Sequence, residues 1–369
     1  MNPKTYEALR AALQARVDAR AIPGAVMCVQ RGGETWCDAV GALRPDGPAM
    51  TADAIFRIYS MTKPIASVAA LMLVEQGRLL LTDPVSKWLP SFANQRVLQA
   101  DGSLAPVARD ATVHDLMRHT AGLSYGWEPG PIQKAYMEAR IGSRGLTNQQ
   151  TAEALGPLPL ERQPGSAWAY SRATDVLGAV IERVADTALG EFLQRRIFAP
   201  LGMNETGFHV PEKDHHRIAG AFPPGEGEVT LADVRQPAPL ESGGGGLVST
   251  AADYARFGAL LLNGGTLDGV RLVGPHTLKW MASDHLGAIP RADDILPDGY
   301  GFGLGVAVRL AQGLAARAGS PGAYGWSGMA GTVFSVDPQL GMFSMVLTQA
   351  PAQLGTIADL LPNTLYGAL

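Results

Sequence analysis

The chain has 369 residues, 46% of them hydrophobic and 17% charged, which suits one large composite domain or two domains sharing an interface. A formal net charge of −4 and the lack of any Lys/Arg block argue against nucleic acid or an anionic membrane surface as partner. The longest apolar run, residues 68–74, is too short to cross a bilayer, and the first 24 residues lack the apolar centre of a secretory signal, so the expected location is the cytoplasm.

In chain order, Tyr6, Leu9, Leu13 and Val17 recur at helical spacing and predict an amphipathic first helix. Two strand-like runs, 24–31 and 34–41, flank Gly32-Gly33 and predict a hairpin that sets Cys28 opposite Cys37. In a cytosolic protein these two cysteines are expected as reduced thiols; a cross-strand disulfide is the alternative. A short strand, 55–59, should run into a helix from Ser60 to about residue 76, with Pro64 in its first turn and Gly77 at its C-cap. Helices are predicted near 112–119, 148–155, 171–186, 190–198 and 251–263, strands at 303–310, 331–336 and 342–348, and a C-terminal helix over 352–368 broken at Pro362. Strand-rich segments thus lie at both ends with a mostly helical stretch between. That pattern is α+β with a helical insertion, not an alternating parallel array.

Two serines stand out. Ser60 and Lys63 are three apart at the start of a predicted helix. They share a face there, and the free N–H groups of the first turn favour negative charge. A lysine in a desolvated pocket can exchange a proton with such a serine. Spacing alone also suits an N-cap serine with a solvated lysine. Ser124, in Gly122-Leu123-Ser124-Tyr125-Gly126, matches the G-x-S-x-G pattern, but that elbow needs a strand before and a helix after. Here a predicted helix precedes it and a Pro/Gly loop follows, so Ser124 is read as a loop serine. His119 could serve Ser124 as a base, but it reads better as a structural histidine. The seven histidines form no metal-binding pattern, and Gly243–Gly246 lacks the Lys-Ser/Thr of a phosphate loop. Four successive glycines instead suggest a tight turn or a close backbone approach.

Several segments together resemble one family. Ser60-Met61-Thr62-Lys63 resembles the first motif of the serine β-lactamase and penicillin-binding protein superfamily. Tyr170-Ser171-Arg172 resembles its Tyr-x-Asn motif, and Trp326-Ser327-Gly328 stands where it carries Lys-Thr-Gly or His-x-Gly. The segments 117–123 and 245–250 match in the expected order. The resemblance implies a β-lactamase/DD-peptidase-like fold. Its antiparallel sheet, flanked by N- and C-terminal helices, would comprise 1–62 and 240–369. A mostly helical domain would span 63–239, with the active site at the interface. Two departures matter: Trp326 carries no charge where many lactamases hold a substrate carboxylate with a cation, and Arg172 replaces a neutral amide. Both resemble the class-C-lactamase-like carboxylesterases.

By this resemblance Ser60 is the nucleophile, Tyr170 the general base, and Lys63 the cation beside it. The backbone N–H groups of Ser60 and Met329 would form the oxyanion hole. Trp326, Gly328, Tyr125 and Trp127 would contact substrate, with Trp168 as a further wall or as core, and Asp175 as a support of the base or a surface charge. The implied reaction is hydrolysis of small-acyl esters, with a small-molecule ester as partner and no metal or cofactor. An acyltransferase, a weak β-lactamase and an inactive binding protein on this scaffold are the alternatives.

Overall fold

The computed structural model describes residues 3–223, 225 and 229–369. A seven-stranded antiparallel sheet forms its centre, in the order Glu34–Gly41, Gly24–Arg31, Met342–Thr348, Thr332–Asp337, Tyr324–Gly328, Ala307–Arg309, Tyr300–Phe302. The two ends of the chain meet inside it, with Ala25 opposite Thr348 and Arg31 opposite Met342. Alternation along Gly24–Arg31 feeds both faces, as a pleat of period two requires. Met27 and Val29 join a cluster with Leu9 and Leu13 of the first helix (Pro3–Asp18) and with Ile357 and Leu361 of the last (Leu354–Tyr366). Val26 and Cys28 face the larger core on the other side.

That larger core surrounds the helix Thr62–Glu75, in which every residue from Thr62 to Leu73 is buried, Lys63 included. A helix covered on all sides sits at the centre of a protein rather than on its surface. The helix Ala173–Ala185 packs against it, carrying the segment after Tyr170 to the same place.

The hairpin has the expected bounds, with Arg31 paired to Glu34 across Gly32-Gly33. The thiol expectation is overturned. Cys28 and Cys37 are directly opposite, their Cα atoms 4.2 Å apart, and they are joined as a disulfide. The expected break at Pro362 is also absent, and the helix runs from Leu354 to Tyr366. Proline removes the N–H that would bind the carbonyl four residues back. Here the Ala358 carbonyl accepts from Arg317 Nη1 instead, at 3.3 Å, so the lost bond is replaced. The strand ahead of Ser60 is shorter than predicted, Ile55–Arg57, because the chain turns at Tyr59 to start the helix.

Candidate active site

The turn that presents Ser60 is clamped before any chemistry is considered. Tyr59 has φ +41°, a left-handed conformation that a non-glycine residue holds only when its surroundings enforce it. They do. The Tyr59 hydroxyl accepts from the Ala232 N–H at 2.9 Å, Arg57 donates to the carbonyls of Ala219 and Ala232, and Tyr254 donates to the Met61 carbonyl at 3.0 Å. Thr62 Oγ1 accepts from the Leu247 N–H at 3.2 Å, tying the helix start to the glycine-rich segment. Ser60 therefore lies in the short 3-10 turn Tyr59–Met61 that leads directly into the buried helix.

Lys63 is fully buried, and its Nζ donates to Ser60 Oγ at 3.1 Å, to Tyr125 Oη at 3.0 Å and to the Gly244 carbonyl at 2.7 Å. Three acceptors match the three donors of an ammonium, as a buried polar group requires. The Gly244 carbonyl is in place because its own N–H donates to Asp175 Oδ1 at 3.0 Å. A Cβ on Gly244 would sit 2.8 Å from that oxygen, so the close approach needs glycine. Asp175, 8% exposed, is thus a buried support and not a surface charge.

Tyr170 lies on the other side of Lys63. Nζ is 4.5 Å from its ring centre, and its hydroxyl accepts from Trp326 Nε1 at 3.0 Å. No hydrogen bond joins Tyr170 to Ser60 among the described residues; the Tyr170 hydroxyl accepts instead from Trp326 Nε1, and the Tyr170 and Tyr125 ring centres lie 5.2 Å apart. Burial, and then the neighbouring Tyr170, push the Tyr125 phenol well above its ordinary value. Tyr125 therefore stays protonated and suits positioning better than proton abstraction. Sequence reasoning placed it only as a cavity wall. Its direct bond to Lys63 spans 62 positions, and no local pattern signals it.

A cavity of about 490 Å³ opens over these groups, lined by Ser60, Tyr125, Trp127, Tyr170, Trp326 and Met329 among others. Trp127, 55% exposed, stacks on Tyr125 with ring centres 4.4 Å apart and forms an outer wall. Gly328, expected to contact substrate, is not among the residues that line the cavity; a Cβ there would collide with the Ile58 carbonyl oxygen and with Thr332 Oγ1. Glycine there lets the strand Tyr324–Gly328 close on the serine turn, which brings Met329 to the cavity beside Ser60. Trp168 is fully buried in the core.

The competing serine has no catalytic setting. Ser124 lies in a loop, and its Oγ accepts from the Gly126 N–H at 3.0 Å. His119 turns away from it: Nδ1 meets Ser171 Oγ and accepts from the Ser171 N–H, both at 3.2 Å. Burial, and then the charge of Lys63, hold the His119 imidazole well below its ordinary value, so it is neutral. Unfolding would free it to bind a proton below about pH 6.5, while the native state resists. Its contribution to stability is therefore complete above that pH and is lost as pH falls. His114, which burial holds down at about 4, and His285 act in the same sense, so chemical denaturation at pH 7.0 and 5.5 should show the native protein losing stability as pH falls, and a flat profile would contradict the assignment. Among the described residues, no group of three or more His, Cys, Asp or Glu is arranged to hold a metal ion.

The family model described as Beta-lactamase matches residues 9–361. Protein Rv1367c of Mycobacterium tuberculosis is 35% identical, over 92% of this chain and 89% of its own. Esterase EstB of Burkholderia gladioli is 32% identical, over 94% and 93%. Among solved structures, EstCE1, described as a hydrolase with promiscuous acyltransferase activity, superposes with a TM-score of 0.82 at 28% identity, covering 99% of each chain.

Proposed function

The chain belongs to the Beta-lactamase family and is a serine hydrolase with esterase relatives, and we propose that it is a carboxylesterase acting on small-acyl esters through an acyl-enzyme on Ser60. The observation that carries this reading is the buried Lys63 amine, 3.1 Å from the Oγ of Ser60, which itself lines a cavity walled by the Tyr170–Trp326 pair. Ser60 Oγ attacks the ester carbonyl, and Tyr170, as phenolate or through a proton shared with Lys63, takes up the proton that Ser60 releases. Lys63 offers a positive charge to the phenolate side of that transfer. The backbone N–H groups of Ser60 and Met329 receive the oxyanion, a donor of this kind being worth about 3 kcal/mol. Tyr170 returns the proton to the leaving alcohol, and water then hydrolyses the acyl-enzyme. The uncharged Trp326 supports esters over β-lactams, because it places no cation at the strand position where, by the family resemblance, a lactam carboxylate is held.

An acyltransferase is the second reading, favoured by the description of EstCE1. One experiment addresses both. After incubation with 4-nitrophenyl butyrate, the Ser60 peptide should gain one butyryl group, and adding a competing alcohol should divide the product between acid and new ester. Acylation at Ser124, or none, would overturn the mechanism. A cytoplasmic location belongs to the same proposal, and the Cys28–Cys37 disulfide counts against it, because such bonds are rare in the cytosol; a reduced pair in intact cells would support the cytoplasm, and an oxidised pair would overturn it. Among the described residues no helix is long and apolar enough to cross a membrane.

A further inference from the structure

The cavity over Ser60 is more cationic than the chain that builds it. Its charged lining residues are Arg57, Arg144, Arg172 and Asp175, three positive to one negative, in a protein of net charge −4. Two of the arginines are committed to the fold. Arg57 donates to the carbonyls of Ala219 and Ala232 and to Gln349 Oε1, and Arg144 donates to the Asp233 carbonyl. Arg172 is different. Among the described residues its guanidinium makes no hydrogen bond, and its Nε is buried without a partner. The nearest carboxylate oxygen, Asp175 Oδ2, is 3.6 Å from Nη1, while Asp175 Oδ1 is taken by Ser242 Oγ at 2.5 Å and by the Gly244 N–H at 3.0 Å.

The guanidinium is nonetheless fixed in place. It lies 5.3 Å from the centre of the Tyr125 ring, and a Cβ on Gly142 would collide with its Nη2. An arginine carries five N–H donors in a rigid fork, and a side chain only 20% exposed leaves them poorly served by water. A rigid fork with free donors, facing a cavity, is a receptor for a planar anion.

We propose that the cavity recognises an ester carrying a carboxylate, and that Arg172 binds that carboxylate. This rests on the esterase reading and names its substrate class. A monoanion fits better than a phosphate dianion, because Asp175 stands 3.6 Å away and repels a second negative charge. The charged group lies near the reacting one. Lys63 Nζ and the Arg172 guanidinium carbon are 5.5 and 5.3 Å from the centre of the same Tyr125 ring. The carboxylate and the scissile carbonyl therefore belong to one short molecule. Its charge replaces no role of Trp326; it enters from the wall formed by the segment after Tyr170.

The test compares matched esters. With the charge on the acyl part, the probes are the 4-nitrophenyl monoester of adipic acid and 4-nitrophenyl heptanoate; with the charge on the alcohol part, they are 3-acetoxybutanoate and its methyl ester. In at least one pair the wild-type kcat/KM should favour the anion, chiefly through KM. That preference should fall by about tenfold or more in Arg172→Met and partly return in Arg172→Lys, which keeps the charge but not the fork. The ratio within a pair is the readout, so a general loss of activity in the variants does not imitate the result. Neutral esters preferred in both pairs, or a preference unchanged in Arg172→Met, overturns the proposal while the esterase reading stands. If no ester is hydrolysed, the esterase reading fails. Quenching of tryptophan fluorescence in the Ser60→Ala protein by adipate monomethyl ester, against its dimethyl ester, then decides the anion site, and equal binding of the two refutes it.

Discussion

Ser60→Ala should reduce hydrolysis of 4-nitrophenyl butyrate to the level of the buffer, a loss on the order of 10⁶ in kcat by analogy with nucleophile removal in other serine hydrolases. The substitution removes one hydroxyl from a turn held by the Tyr59, Arg57 and Tyr254 contacts, so the fold should survive it. Lys63 would lose one of three acceptors and keep Tyr125 Oη and the Gly244 carbonyl. Circular dichroism and the thermal midpoint should therefore stay close to wild type while activity vanishes. Activity retained in Ser60→Ala and lost in Ser124→Ala would move the nucleophile to the other serine. The loop setting of Ser124 and the orientation of His119 toward Ser171 argue against that result.

Tyr170→Phe should cost about 10²–10⁴-fold in kcat, the usual contribution of a general base. Two consequences distinguish this from a packing defect. The ring that covers Lys63 Nζ at 4.5 Å remains, so the lysine keeps its environment. Trp326 Nε1, however, loses its acceptor inside the protein, and a buried donor left unpaired costs about 1–3 kcal/mol. The variant should thus be modestly less stable and strongly less active. Trp326→Phe, which also breaks this bond but leaves the tyrosine hydroxyl, should show the stability loss with a smaller loss of rate. Equal rate losses in the two variants would make Tyr170 a structural partner of Trp326 and return the role of base to Lys63.

Much of the architecture is legible in the chain because it rests on short-range rules. A period of two with a Gly-Gly turn is enough to define the hairpin, down to the pairing of Cys28 with Cys37. The helices Asn148–Leu155 and Ala251–Leu262 carry their own N-caps, Thr147 and Thr250, three residues ahead of Gln150 and Asp253. The serine–lysine spacing on a helix likewise determined that Lys63 Nζ could reach Ser60 Oγ, since residues three apart share a face whatever the rest of the protein does.

Other features depend on partners distant in sequence. Nothing near Pro362 announces that Arg317 will take the carbonyl its ring leaves unpaired, so the local rule for proline gave way to a tertiary hydrogen bond. The joining of Cys28 to Cys37 was equally beyond pattern, since register sets which thiols meet but not whether they are oxidised. The candidate active site shows the same division. Its serine, lysine and tyrosine were recognisable as motifs. Tertiary structure alone decided that Tyr125 shares Lys63 with the serine, that four glycines deliver a carbonyl to the same amine, and that the Arg172 guanidinium makes no hydrogen bond among the described residues. The two contacts to Lys63 join segments 62 and 181 residues apart, and contacts at that range follow from how the whole core packs rather than from any periodicity of the chain.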